Sequence, residues 1–230
     1  MRAVLGHGDL AASLVFIFPL FLIYEVGVLF APAQNGVDFI SRHVLSLLGN
    51  SRGRYLLVHV AMALVFIALV AWLRHVRKID RGRFLPMLLE SAIYALTLGS
   101  FILFVMRNLL GIQPLASGPE LGAASGVILS IGAGVHEELV FRLGLCAGGA
   151  ALCRLLGMRH FVAVAAAFLF SSSAFSLVHH LGVYGDPWSF AVFVYRTLAG
   201  LVFACLFYFR SLAHATYTHG LYDLYVLILT

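Results

Sequence analysis

Seven stretches of this sequence, residues 11–31, 55–73, 88–106, 119–156, 160–179, 188–210 and 211–230, are long, apolar and almost free of charge. A helix advances about 1.5 Å per residue, so roughly 20 apolar residues cross the ~30 Å hydrocarbon core of a bilayer. Inside that core each segment must satisfy its own backbone hydrogen bonds, which restricts such runs to helices. With 62% of the residues apolar and 11% charged, most of the surface has to face something other than water. The expected fold is all-α, a polytopic membrane helix bundle of about seven transmembrane helices, matching the seven runs. Run 119–156 is too long for one crossing, so it projects beyond the bilayer or breaks, near Gly132 and Gly134 or at Gly148-Gly149. An eighth crossing is the alternative. No internal repeat, low-complexity tract or linker divides the chain, so residues 1–230 read as a single integral-membrane domain.

The formal net charge of +5 would suggest a nucleic-acid partner in a soluble protein. Here most basic residues flank apolar runs, where they orient a chain against the lipid bilayer, and no nucleic acid is expected. The loop RHVRKIDRGR, Arg74 to Arg83, holds the densest positive charge and is expected on the cytoplasmic side, with the N-terminus inside. Seven crossings then put Arg154, Arg159 and Arg210 on the cytoplasmic side, while Arg42, Arg52 and Arg54 oppose the scheme; an eighth would invert everything after Gly118. The stretch from Leu10 to Ala31 contains Glu25 and lacks a small-residue cleavage site, so it reads as the first membrane helix rather than a signal peptide. Cys146, Cys153 and Cys205 lie in apolar runs without paired spacing, which argues against disulfides and thiolate metal sites. The expected location is a bacterial inner membrane.

Ionisable side chains inside membrane segments cost several kcal/mol unless they face a cavity or a partner, so each is a functional candidate. Glu25, Glu90, Glu137, Glu138, Arg142, His179, Arg196, His214, His219 and Asp223 qualify. Glu138 and Arg142 are four apart and share a helical face, where they can pair. Glu137 is turned about 100° from Glu138 and has no cation three or four positions away on its helix, which leaves it to point into a cavity as a base. The alternative is a structural network holding both glutamates between Arg142 and Arg196. His136-Glu137 opens like the zinc motif His-Glu-x-x-His, but Val140 stands where the second histidine belongs, so His136 reads as a helix-packing residue. His219 and Asp223 are again four apart on one face, and His179 closes its own run. His180 and His214 read as bystanders, and the roles of Glu25 and Glu90 stay open.

Three motifs in order on successive membrane segments, Glu137-Glu138-x-x-x-Arg142, Phe175-x-x-x-His179 and His219-x-x-x-Asp223, resemble the CAAX protease and bacteriocin-processing (CPBP) family of intramembrane proteases. The resemblance covers roughly Gly118 to the end of the chain. It implies a glutamate-dependent endopeptidase in which Glu137 and His179 activate water and His219 with Asp223 stabilises the oxyanion, Glu138 and Arg142 supporting them. A carboxylate in an apolar pocket is a stronger base, and fixed donors favour a developing oxyanion. No cofactor is implied. Relatives nearest the CAAX endopeptidases carry asparagine where this chain has Asp223, so Asp223 is protonated, orients His219 or binds a cation. The last option keeps open a metal-assisted version with His179, His219 and Asp223 as ligands. The expected partner is a membrane-anchored or hydrophobic protein or peptide substrate: a prenylated tail, a sorting signal, a bacteriocin leader or another membrane protein. The competing readings are a transporter or proton relay, and a scaffold without catalysis.

Overall fold

The computed structural model describes residues 9–30, 44–76, 81–113, 123–181 and 185–229. Among them there is no strand, and seven long helical segments coincide with the apolar runs. They are α1 (Leu10–Gly27), α2 (Arg52–Val76), α3 (Phe84–Leu109), α4 (residues 123–155), α5 (His160–Val178), α6 (Phe190–Phe209) and α7 (Leu212–Leu229). Four of these, α1, α3, α5 and α6, are long and apolar enough to cross a membrane. Arg42 and residues 77–80 of the basic loop lie outside the described residues.

Local signals fix the helix ends. The Asp9 carboxylate accepts from the amides of Ala11 at 3.0 Å and Ala12 at 3.5 Å, satisfying donors at the start of α1. Ser189 does the same for the amide of Val192 at the start of α6. The turn between α4 and α5 passes through Gly157 at φ +86°, a backbone state that a side chain would strain.

Of the two expectations for segment α4, a break is not found: the helix continues through its glycines. An α-helical part, Ala123–Gly132, passes into a π-helix over Ala133–Gly148 and returns to α over Gly149–Leu155. Gly132 and Gly149 keep ordinary helical backbone angles, so the hydrogen-bonding register changes while the axis continues. The i→i+5 register widens the turn, a device often found at functional sites.

Helix α7 is the hub of the bundle, packing against α1, α3, α4 and α6, while α5 packs against α4 and α6. A close approach lies between α4 and α7. A Cβ on Gly134 would stand 2.7 Å from the Thr216 carbonyl oxygen and 2.9 Å from the Gly220 nitrogen, so the two backbones touch. Small residues at such crossings let membrane helices pack closely. The polar distribution is inverted relative to a soluble protein: Ser91, Ser171, Ser172, Ser176, Thr216 and Thr218 are buried, while Leu89, Ile93, Leu96, Phe161 and Phe170 face outward. An exterior of this kind matches a lipid solvent.

The Gly134 contact has a measurable consequence. Gly134→Val should destabilise the protein by about 3 kcal/mol through overpacking against the α7 backbone. Gly148→Val, where an added Cβ meets nothing within 4 Å, should leave the unfolding midpoint nearly unchanged. Thermal unfolding of both variants in detergent checks this, and equal midpoints would refute the backbone contact.

Candidate active site

The α4–α7 contact brings the ionisable residues of three helices together. Glu137, Glu138 and Arg142 lie in the π-helical part of α4, His179 caps the C-terminal end of α5, and His219 and Asp223 lie on α7. Glu137, Glu138, Arg142 and His219 are buried. His179 and Asp223 retain 25% and 27% side-chain exposure, so the cluster opens to its surroundings on their side.

Arg142 anchors the inner end. Its Nε lies 3.1 Å from Glu138 Oε2, and one terminal nitrogen donates to the Gly200 carbonyl on α6 at 3.2 Å. The guanidinium sits over the rings of Phe175 at 4.7 Å and Phe203 at 5.3 Å. Ring faces carry negative potential, so these contacts partly replace the water that Arg142 has lost. The other oxygen of Glu138 takes His219 Nδ1 at 2.8 Å, and Phe203 stacks on the His219 ring with centroids 4.5 Å apart. Glu138 thus joins Arg142 to His219 and sets the plane of the imidazole.

The outer end surrounds Glu137. Its Oε2 lies 3.6 Å from His179 Nε2 and 3.9 Å from His219 Nε2. His219 Nε2 is also 3.5 Å from Asp223 Oδ2. His179 donates its Nδ1–H to the Phe175 carbonyl at 2.7 Å, which turns Nε2 toward Glu137. A carboxylate with imidazole nitrogens slightly beyond direct hydrogen-bonding distance suits a bridging water or a substrate oxygen.

Several sequence expectations change here. His179, His219 and Glu137 meet without a break in α4, because the close crossing at Gly134 carries His219 onto α4. Arg196 takes no part in holding the glutamates; it pairs with Asp186 at 2.6 Å. Glu25 and Glu90 have partners: Glu25 meets Tyr55, His59 and His136, and Glu90 meets Tyr94, Arg210 and His214. His214 lies with Glu90 and is bonded to Ser211 at 2.7 Å, and His180 has its Nδ1 on the Asp186 carbonyl at 3.2 Å. Among the described residues no group of three or more His, Cys, Asp or Glu side chains is placed as metal ligands. Phe203 and the Gly200 carbonyl were not singled out in the sequence, where one phenylalanine among many and a backbone oxygen carry no mark.

Removing one member of the inner pair has a defined penalty. Arg142→Ala leaves Glu138 as a buried charge without its cation and should cost about 3–5 kcal/mol. Arg142→Lys should recover little, since a lysine cannot reproduce the planar contacts to both rings and the Gly200 carbonyl. Unfolding midpoints for both variants check this; a fully stable Arg142→Ala protein would remove the pair from the structural account.

Residues 119–225 match the family model described as Type II CAAX prenyl endopeptidase Rce1-like. No curated protein and no solved structure matches the chain. The matched segment begins just before α4 and ends within α7, so it contains all seven residues of the three motifs. Through this C-terminal segment, a little under half of its length, the chain is similar to the type II CAAX prenyl endopeptidases.

Proposed function

We propose that the protein is an intramembrane endopeptidase in which Glu137 is the general base, cutting a peptide bond in a membrane-anchored or hydrophobic substrate. The observation that carries this reading is the placement of the buried Glu137 carboxylate between the Nε2 atoms of His179 and His219, at 3.6 and 3.9 Å, beneath the exposed side of the cluster. The family match supports the reaction class.

In this mechanism a water held between Glu137 and His179 loses a proton to Glu137 as its oxygen attacks the scissile carbonyl carbon. The carbonyl oxygen gains the charge. His219 donates Nδ1–H to Glu138 and, carrying a second proton, faces the oxyanion with Nε2–H; a fixed donor aimed at the developing charge favours the transition state. As the tetrahedral centre collapses, the proton on Glu137 passes to the leaving nitrogen, giving an amine and a carboxylic acid. His179 holds the water, because its Nδ1–H is spent on the Phe175 carbonyl and its Nε2 faces inward. Asp223 acts through His219, accepting from Nε2–H in the resting state and so orienting the ring. That role fits the aspartate in this chain better than direct contact with an oxyanion, which a carboxylate would repel.

The substrate approaches past His179 and Asp223, the two partly exposed members. A lipid-facing exterior favours a chain already held in the bilayer. We assign the protein to a cell membrane of the bacterial inner type, with seven crossings formed by α1 to α7.

Two variants test the roles. Glu137→Gln is nearly isosteric and should lower turnover by at least about 10²–10⁴-fold while leaving the unfolding midpoint intact. The measurement compares peptide termini in membranes from cells carrying either the parent or Glu137→Gln at equal abundance. Termini that vanish in the variant identify the substrate, whereas unchanged termini would sink the protease reading. Asp223→Asn, which can still accept from His219, should keep most of the turnover, and Asp223→Ala should lose it. Equal losses in the two would assign Asp223 a charge-dependent role instead.

A further inference from the structure

A second buried polar cluster lies on the far side of α4. The Glu25 carboxylate, on α1, meets the Tyr55 hydroxyl and His59 Nε2, the latter at 3.3 Å, through one oxygen, and His136 Nε2 at 3.4 Å through the other. Glu25, Tyr55, His59 and His136 are all buried. His59 donates Nδ1–H to the Tyr55 carbonyl at 2.9 Å, and the Nδ1 of His136 lies 3.3 Å from the Gly132 carbonyl oxygen. With Nδ1 committed to the backbone in each case, both rings are oriented so that Nε2 faces Glu25. None of these residues belongs to the family motifs, and three of the four lie outside the matched segment.

Packing alone does not explain a buried carboxylate here, since apolar residues of similar volume would hold three helices together as well or better. Its position suggests another purpose. Gly132 is the last residue before the π register begins, and Glu137 lies one turn into it, immediately after His136. In an i→i+5 register the Gly132 carbonyl pairs with the Glu137 amide. His136 therefore grips the carbonyl at the point where the ladder changes step, and Glu25 grips His136. The Tyr24 ring closes the same place: it lies 4.7 Å from the His136 ring, and a Cβ on Gly132 would stand 2.2 Å from its Cε2. Rotation of α4 about its axis, which would swing Glu137 away from His179, is opposed at this one turn.

We propose that Glu25, acting through His136, is a positioning residue for Glu137, so that the N-terminal helices α1 and α2 complete a catalytic unit whose motifs lie in residues 119–225. This rests on Glu137 being the base. A displacement of the order of 1 Å at a catalytic group can lower turnover about 100-fold without touching the substrate.

The test uses the full chain, purified in detergent, with a peptide carrying a cleavage site found in the membrane comparison above. Glu25→Gln and His136→Phe, which keeps the ring but removes both polar links, should each lower kcat by about 10- to 100-fold. KM should stay within about twofold, because the substrate contacts remain. The double variant should be no slower than the slower single, as expected for residues acting through one chain. Unchanged kcat in either folded single variant overturns the proposal, and so do losses that multiply in the double variant. If Glu25→Gln does not fold, His136→Phe alone decides by the same kcat criterion. Glu137→Gln is run alongside: if it retains turnover the protease mechanism itself fails, whereas its loss together with a fully active Glu25→Gln rejects only the positioning role.

Discussion

Burial of the Arg142 guanidinium is the constraint around which the rest of the structure is arranged. An arginine cannot shed its charge, so taking it out of water requires a compensating environment. Four elements supply it: Glu138 from α4 itself, the Gly200 carbonyl from α6, and the faces of Phe175 from α5 and Phe203 from α6. Each of these contacts also fixes something else. Phe175 gives its carbonyl to His179, Phe203 stacks on His219, and Glu138 turns its second oxygen to His219. Compensation of one cation thereby aligns both imidazoles around Glu137.

The two buried clusters divide the labour along α4. One surrounds Arg142 and draws on the C-terminal helices, and the other surrounds Glu25 and draws on α1 and α2. Glu137 lies between them, next in sequence to a member of each, His136 and Glu138. A π-helical stretch suits this arrangement because its wider turn presents adjacent residues to different neighbours while the helix remains continuous. On the proposed reading, the base is held from both sides by groups that do not touch the substrate.

Much of this was legible in the sequence, for identifiable reasons. Apolar runs report helices directly, because a bilayer admits little else, and the four-residue spacing of Glu138 with Arg142 and of His219 with Asp223 survives as real proximity. What stayed hidden depends on the third dimension. The partners of Glu25 are 30, 34 and 111 positions away in the chain, at Tyr55, His59 and His136, so no local pattern announces them. The change to a π register leaves no mark that distinguishes it from a break, since glycines at Gly132 and Gly149 suit both. Read as independent rods, the runs do not show how His179, His219 and Glu137 come together. The α4 and α7 backbones in fact meet at Gly134 and Gly220, and that crossing sets the relative heights.

The same crossing bears on how the protein behaves in bilayers of different thickness. Helices whose hydrophobic length does not match the surrounding lipid respond by tilting, at a modest energetic cost. Where two helices are separated by long side chains, rotamer changes can absorb a difference in tilt. Between α4 and α7 there is no such cushion, since the Gly134 Cα faces the Gly220 backbone without a side chain between them. The two helices must tilt as one body. Spacing between the carboxylates of α4 and the histidine of α7 is thereby insulated from the thickness of the membrane around it.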